Sequence, residues 1–358
     1  EKVNINVTLL GGGFGRKSKP DFVVEAALLS KQLNVPIKVM WTREDEVKNG
    51  YYHAVSYQKL VAGIDENNQV TAWQHHVAEP PIGSTFSKGA DLIGSEASLG
   101  FIDMPYDIAN VSCAIGKAPA HTRIGWMRSV TNINHVFAIS SFIDELAQAK
   151  GVDSKDNLIA MLGADRKIDF AKENADYSNY GETLDKFPVD TARMKAVIER
   201  VSKMAKWGRK LPKGHGLGIA MHRSFVSYVA CIVEVSENSD GKIKVDDVWM
   251  AVDCGLAVNP ERIRSQMEGA AIFALSLTFF SELTAKNGVI EQNNFDSYQV
   301  ARIADAPTTH VEIIESDAPP GGVGEPGVPP IAPAICNAIF NATGKRYREL
   351  PLKKYGIV

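Results

Sequence analysis

Glu325 stands in the run Gly322-Val323-Gly324-Glu325-Pro326-Gly327, one carboxylate inside a Gly/Pro turn, and apolar Val328, Ile331, Ala332, Ala334 and Ile335 follow it. A carboxylate held in such a turn cannot move far. Burial disfavours its charged form, so it can be tuned into a base. Its counterpart near the other end is Gly11-Gly12-Gly13-Phe14-Gly15-Arg16-Lys17, which presents backbone N–H groups with almost no side chain in the way. Two such turns, one bearing a carboxylate, point to an anionic cofactor with a base beside it. Each turn alone also has a plain reading. Gly-Glu-Pro-Gly is common in surface turns, and a glycine triplet after a strand can form a hairpin or lead into a helix. Two better-known patterns fail. A dinucleotide fingerprint starting at Gly11 and a P-loop ending in Lys17-Ser18 both need glycine at 16, where Arg16 stands. An NAD-dependent dehydrogenase is therefore a poor reading.

The elements that must position these turns lie in a chain of 358 residues, long enough for roughly two domains. Hydrophobic residues make up 45% and charged residues 23%, as in ordinary globular proteins. With 39 basic against 42 acidic residues the net charge is −3, which argues against a nucleic-acid partner. The longest apolar run, Gly269 to Phe280, is too short for a membrane span, so none is expected. The chain starts at Glu1 without a methionine or signal peptide, and reads as the continuation of a longer polypeptide. Cys113, Cys231, Cys254 and Cys336 show neither CxxC spacing nor a paired histidine; they read as small core residues, with no metal or iron–sulfur site expected from this chain. His75 and His76, adjacent in a strand, point to opposite faces. His53, His121, His135, His215, His222 and His310 lack ligand spacing, and all eight read as structural.

Periodicity places the motifs. Residues 3 to 9 alternate as a half-buried strand, Asp21 caps a helix over 22–33, and Pro36 opens a strand over 37–41. Strands over 56–64 and 69–77 flank the turn Asp65-Glu66-Asn67-Asn68 as a hairpin. The stretch 79–105 reads as loops over a surface or site, 110–115 as a strand, and 116–125 as a seam between domains. Helices are predicted over 132–150, 192–207, 260–280 and 332–342, and strands over 216–221, 228–235, 242–252 and 310–314. Helices and strands mix without a βαβ period, so the fold class is α+β, mixed sheets with packed helices.

Five segments in one order carry a resemblance: the glycine turn at 11–17; Gly125-Trp126-Met127-Arg128-Ser129-Val130; Val252-Asp253-Cys254-Gly255 with Asn259-Pro260; Gln266-Met267-Glu268-Gly269-Ala270; and the turn at 322–327. Together the chain resembles the molybdenum-binding large subunit of the xanthine dehydrogenase/aldehyde oxidase family. It is most similar to the branch of the isoquinoline 1-oxidoreductase β-subunit and bacterial aldehyde dehydrogenases. Ser224 to Ala230 and Ala342 to Arg346 resemble that branch too. Arg16 departs from the wider family, which has glycine there.

The resemblance implies a molybdenum–molybdopterin cofactor in its cytosine dinucleotide form. Gly11, Gly12, Gly13, Phe14, Gly15, Arg128, Gln266, Gly322, Val323 and Gly324 would bind it, and no side chain would ligate the metal. Phe14 would pack over the metal edge. Arg128 would orient a carbonyl or stabilise developing negative charge. Glu325 would be the general base in oxidation of an aldehyde or N-heteroaromatic substrate with oxygen from water. Asp253 and Asn259 read as turn-formers. Residues 1–120 would be the C-terminal part of a first molybdopterin-binding domain and 121–358 a second. The remaining N-terminal half of the polypeptide, a small iron–sulfur subunit and a small-molecule substrate are the implied partners. The branch implies the periplasm, with the cytoplasm as the alternative. A different class of function, a non-catalytic structural or interaction domain derived from that family, is the second reading.

Overall fold

The run Ser227–Glu237 is apolar on both of its alternating faces, as a strand covered on two sides must be. A computed structural model, which describes residues 3–172 and 175–358, makes it the second strand of a four-stranded sheet. In chain order the elements are α1 (Asp21–Leu33), α2 (Arg43–Asn49), β1 (Tyr57–Ile64), β2 (Val70–Ala78), β3 (Asn110–Gly116), α3 (Asn132–Lys150), α4 (Ser154–Met161), α5 (Thr191–Met204), β4 (His215–Ser224), β5 (Ser227–Glu237), β6 (Ile243–Asp253), α6 (Pro260–Phe279), the two-residue strands β7 (Ala285–Lys286) and β8 (Val289–Ile290), β9 (Thr308–Ile313) and α7 (Ile331–Thr343). The large sheet has the order β4-β5-β6-β9, antiparallel except for the parallel pair β6 and β9.

Alternation along β5 divides the core. Val229, Cys231, Val233 and Val235 face α6 and α7, joining Met267, Ala270, Ile335 and Ala338. Tyr228, Ala230 and Ile232 face the other way, onto Met194, Val197, Ile198 and Val201 of α5 and Ile139 and Ile143 of α3. Helix α7 lies very close to β4. A Cβ at Gly218 would overlap the Ala334 carbonyl and the Ala338 amide of that helix. Cys231, Cys254 and Cys336 are buried as small apolar residues, whereas Cys113 is exposed.

A second sheet, β1-β2-β3, pairs β1 and β2 as the expected hairpin and adds β3 parallel to β2. Asp65 closes the hairpin by accepting from the amides of Asn67 and Gln69. Trp73 of β2 is buried against Phe142 of α3, ring centroids 5.1 Å apart, which joins the small sheet to the large unit. His75 is buried and its neighbour His76 exposed, as strand alternation requires.

Three expectations are corrected. Residues 3–10 and 36–41 form no strand among the described residues, and Val3, Ile5, Val7, Leu9 and Met40 are exposed. Alternation permits a strand, but a strand needs a partner ladder, and none lies alongside. Asp21 is the first residue of α1 rather than its cap; its carboxylate turns back to Arg16, with N–O distances of 2.8 and 2.9 Å. The stretch 79–105 is irregular, as expected, yet far from superficial: Ile82, Ile93, Ala97, Phe101 and Met104 are core residues. Two short helices went unpredicted. Thr42 starts α2 with a capping box to Asp45, and Asp153 caps α4.

Two predictions follow from the packing. Gly218→Ala forces β4 and α7 apart and is expected to destabilise the fold by about 3 kcal/mol, read from the denaturant midpoint; an unchanged midpoint would show that the contact can relax. Burial raises the carboxyls of Glu79 and Asp103 to about 7 each. Both therefore hold protons in the folded chain at a pH where the unfolded chain has lost them, and stability falls as pH rises from the ordinary carboxylate range through about 7. The double variant Glu79→Gln, Asp103→Asn should flatten that slope in melting curves taken from acid to neutral pH.

Candidate active site

The two glycine-containing turns, far apart in sequence, meet at Arg128. Its backbone N–H donates to the Phe14 carbonyl at 3.1 Å. Its Nε donates to the Gly324 carbonyl at 2.7 Å, and its Nη2 donates to the backbone carbonyl and to Oε1 of Gln266, each at 3.0 Å. The guanidinium is buried beside two aromatic rings, 5.8 Å from the Phe14 centroid and 5.6 Å from that of Phe273. Those rings are stacked, 6.1 Å apart and 11° from parallel. A planar cation with several donors can satisfy acceptors on two elements at once while lying against the aromatic pair. Nη1 has no acceptor among the described residues.

The early turn bends sharply at Phe14 and Gly15, with φ of 51° and 93°. A Cβ at Gly15 would overlap the Trp126 carbonyl, so glycine is needed both for conformation and for the close approach. The amides of Gly11, Gly12, Gly13 and Phe14 donate to no backbone carbonyl among the described residues, and a side chain added at Gly11 would meet nothing within 4 Å. Arg16, in the position where the wider family has glycine, faces inward and braces the turn against Asp21 and Glu46. Lys19 anchors the same turn, its Nζ 3.3 Å from the Phe86 centroid and 4.7 Å from that of Trp126.

The later turn lies between β9 and α7, pinned where Gly321 N–H donates to the Cys254 carbonyl and Gly322 N–H to that of Phe225. Glu325 follows, half-buried, with Oε1 accepting from the Ser129 amide at 2.8 Å. Its backbone carbonyl accepts from Ser129 Oγ at 2.6 Å. Burial pushes the Glu325 carboxyl above its ordinary value, while the Ser129 amide and the Arg128 charge pull it back. Oε2 has no hydrogen-bond partner among the described residues, and space is open beside Gly324. A carboxylate restrained at one oxygen, raised in pKa and free at the other can take up a proton.

The structure thus brings together Gly11 to Gly15, Arg128, Gln266, Gly322 to Gly324 and Glu325. Gln266 lies in the second turn of α6, not its first, and is exposed. Asp253 and Asn259 stand aside: Asp253 pairs with Arg193 and accepts from the Gly255 amide, and Asn259 caps α6 through Arg262 N–H. Sequence reasoning missed Ser129 as the residue that holds Glu325, and Phe273 as the second ring against Arg128. Ser129 carried no signal beyond its place after Arg128. Its φ of +80° and that of Val130, +50°, appear only in the fold.

Residues 1–156 and 159–307 match two family models, each described as a molybdopterin cofactor-binding domain. Over 98% of its length the chain is 30% identical to the membrane-bound aldehyde dehydrogenase (pyrroloquinoline-quinone) of Gluconacetobacter polyoxogenes, covering 46% of that protein. It is 27% identical, over 99% of its length, to isoquinoline 1-oxidoreductase subunit beta of Brevundimonas diminuta, covering 43% of it. The chain therefore spans less than half the length of these curated relatives. Quinoline 2-oxidoreductase from Pseudomonas putida 86 superposes with a TM-score of 0.73 at 12% identity, over 96% of this chain and 66% of that one. Aldehyde oxidoreductase from Desulfovibrio gigas gives 0.71 at 13%, over 96% and 53%. These two likenesses establish the fold alone.

Arg128→Met removes every donor that ties the later turn to α6 and leaves the Gly324 carbonyl without a partner. A loss of about 2–3 kcal/mol in denaturant unfolding is expected. Arg128→Lys should recover only part, since one ammonium cannot span both acceptors. A Met variant as stable as the parent would remove the clamp from this description.

Proposed function

Because the chain belongs to the xanthine dehydrogenase/aldehyde oxidase family and is built of its molybdopterin cofactor-binding domains, we propose that it carries the catalytic residues of a molybdenum-dependent oxidoreductase. That enzyme oxidises an aldehyde or N-heteroaromatic substrate with oxygen from water. The observation that carries the proposal is the Glu325 carboxylate, held at Oε1 by Ser129 where the glycine turn and Arg128 converge. The site fits an anionic cofactor. Uncommitted amides at Gly11 to Phe14, open space beside Gly11 and Gly324, and a buried cation are what phosphate and oxo groups require.

When bound, a molybdenum–pterin group supplies the two-electron redox chemistry. The chain does the rest. Gly11, Gly12, Gly13 and Gly15, with Gly322, Val323 and Gly324, line the two turns that would hold the group, and the Gln266 side-chain amide is placed to donate a hydrogen bond. Phe14 shields one edge. Arg128 keeps both turns in register and adds positive charge where negative charge would develop. Glu325 takes the proton of the attacking oxygen at Oε2, its pKa already raised by burial.

The same proposal extends to the cytosine dinucleotide form of the cofactor and to a small iron–sulfur subunit as electron carrier. It also includes a periplasmic location and a division near residue 120 between two cofactor-binding domains. A further part of the same polypeptide, N-terminal to this one, is proposed to cover the apolar side chains that stand exposed on 3–10 and on α1, where Phe22, Val23, Leu28 and Leu33 meet no core.

In the complete polypeptide, Glu325→Gln should lower turnover of aldehyde or quinoline-type substrates by about 10²–10⁴-fold, with molybdenum and pterin content unchanged. Full turnover in that variant would remove Glu325 as the base. A parent protein without molybdenum or pterin would favour the non-catalytic reading.

A further inference from the structure

We propose that Asn132 is a positioning residue for Glu325, acting through the left-handed Ser129 peptide. The inference rests on the reading of Glu325 as a base, and it concerns what keeps that carboxylate in place. Ser129 grips Glu325 twice, by its amide at Oε1 and by its hydroxyl at the backbone carbonyl. It does so from a backbone conformation that non-glycine residues seldom adopt, and Val130, a β-branched residue, follows it into the same region. Such a turn persists only where its surroundings hold it.

His53 Nε2 holds the Val130 carbonyl at 2.9 Å, and Asn132 holds that of Ser129. The Asn132 side chain is fully buried, and Nδ2 donates to the Ser129 carbonyl at 3.0 Å. The backbone N–H of Asn132 donates to the same oxygen at 3.2 Å. The orientation of the amide group is itself fixed, because Oδ1 accepts from His222 Nε2 at 2.8 Å and from the Tyr180 hydroxyl at 3.3 Å. Burial keeps the His222 ring neutral, its pKa pushed down to about 3, so a single ring proton is available to donate. With donors on its oxygen side, the amide can present only its NH₂ to Ser129.

Asn132 opens α3, where Asn, Ser or Thr often cap by accepting from a backbone amide. Here neither Thr131 nor Asn132 caps the helix through its side chain. The buried amide is spent on the carbonyl of Ser129 instead. Removing it would leave the Ser129 carbonyl held by the Asn132 backbone N–H alone, so that the turn can relax toward negative φ, which swings the Ser129 N–H away from Oε1 of Glu325.

Hydrogen exchange at the Ser129 amide tests this without any assay of activity. In the complete polypeptide, Asn132→Leu should speed exchange at Ser129 by roughly tenfold or more. Tyr177→Phe serves as the comparison, because the Tyr177 hydroxyl accepts from Arg223 nearby and makes no hydrogen bond to Asn132. It should lower the melting temperature yet leave Ser129 exchange at the parent rate. If Asn132→Leu does not fold, Asn132→Ser, too short to reach both Ser129 and His222, takes its place with the same expectation. An unchanged Ser129 rate in the Asn132 variant overturns the proposal, and so does an equal acceleration in Tyr177→Phe, which would mean general loosening. Faster exchange with full turnover would uphold the positioning role of Asn132 and instead remove Glu325 as the base.

Discussion

A buried guanidinium with no carboxylate bonded to it is costly, and the whole candidate site is arranged around one. Arg128 is stabilised by three carbonyl-type acceptors and two aromatic faces. Burial disfavours its charge, and the nearby Glu325 favours it. Each acceptor belongs to a different stretch of chain or a different atom of Gln266, so satisfying the cation draws the later turn and α6 together. Its own backbone amide adds the early turn. The charge that is hardest to bury is thus the one that sets the geometry.

Strained backbone also gathers around it. Phe14 and Gly15, Ser129 and Val130, and Phe225 and Val226 are three consecutive pairs at positive φ, and all touch the site or its support. The Phe225 carbonyl accepts from Gly322, and Ser129 binds Glu325. Each non-glycine residue there costs of order 1–3 kcal/mol. The scaffold that sustains this is the four-stranded sheet, covered on both faces, with β5 buried along nearly all of its length. Rigid layers can hold a strained loop in one arrangement because any relaxation would open cavities in packing of crystalline density.

The side chains before residue 41 obey a different logic. Helix α1 formed where its periodicity placed it, yet no residue of it is buried. Local pattern is enough to make a helix in the presence of an anchoring ion pair such as Arg16 with Asp21. It is not enough to make a strand, whose hydrogen bonds all lie with a neighbour. The same sequence rule therefore succeeded for α1 and failed for residues 3–9 and 37–41.

Read alone, the amino-acid order determined the α+β class, most strands and helices of the large unit, and the two glycine turns, the later one bearing Glu325. These follow from alternation, helical spacing and turn chemistry, which are local; Arg128 was singled out only by the family resemblance. The contacts that make a site were decided only by the folded chain: the Phe14 carbonyl on the Arg128 amide, Gly324 and Gln266 on its guanidinium, and the Ser129 amide on Glu325 with Asn132 behind it. Each joins residues brought near by sheet register and helix packing, or depends on a backbone angle that no residue type announces. Hydrogen bonds reach about 3 Å, so which groups lie within that reach is a property of the packed layers and not of any one segment.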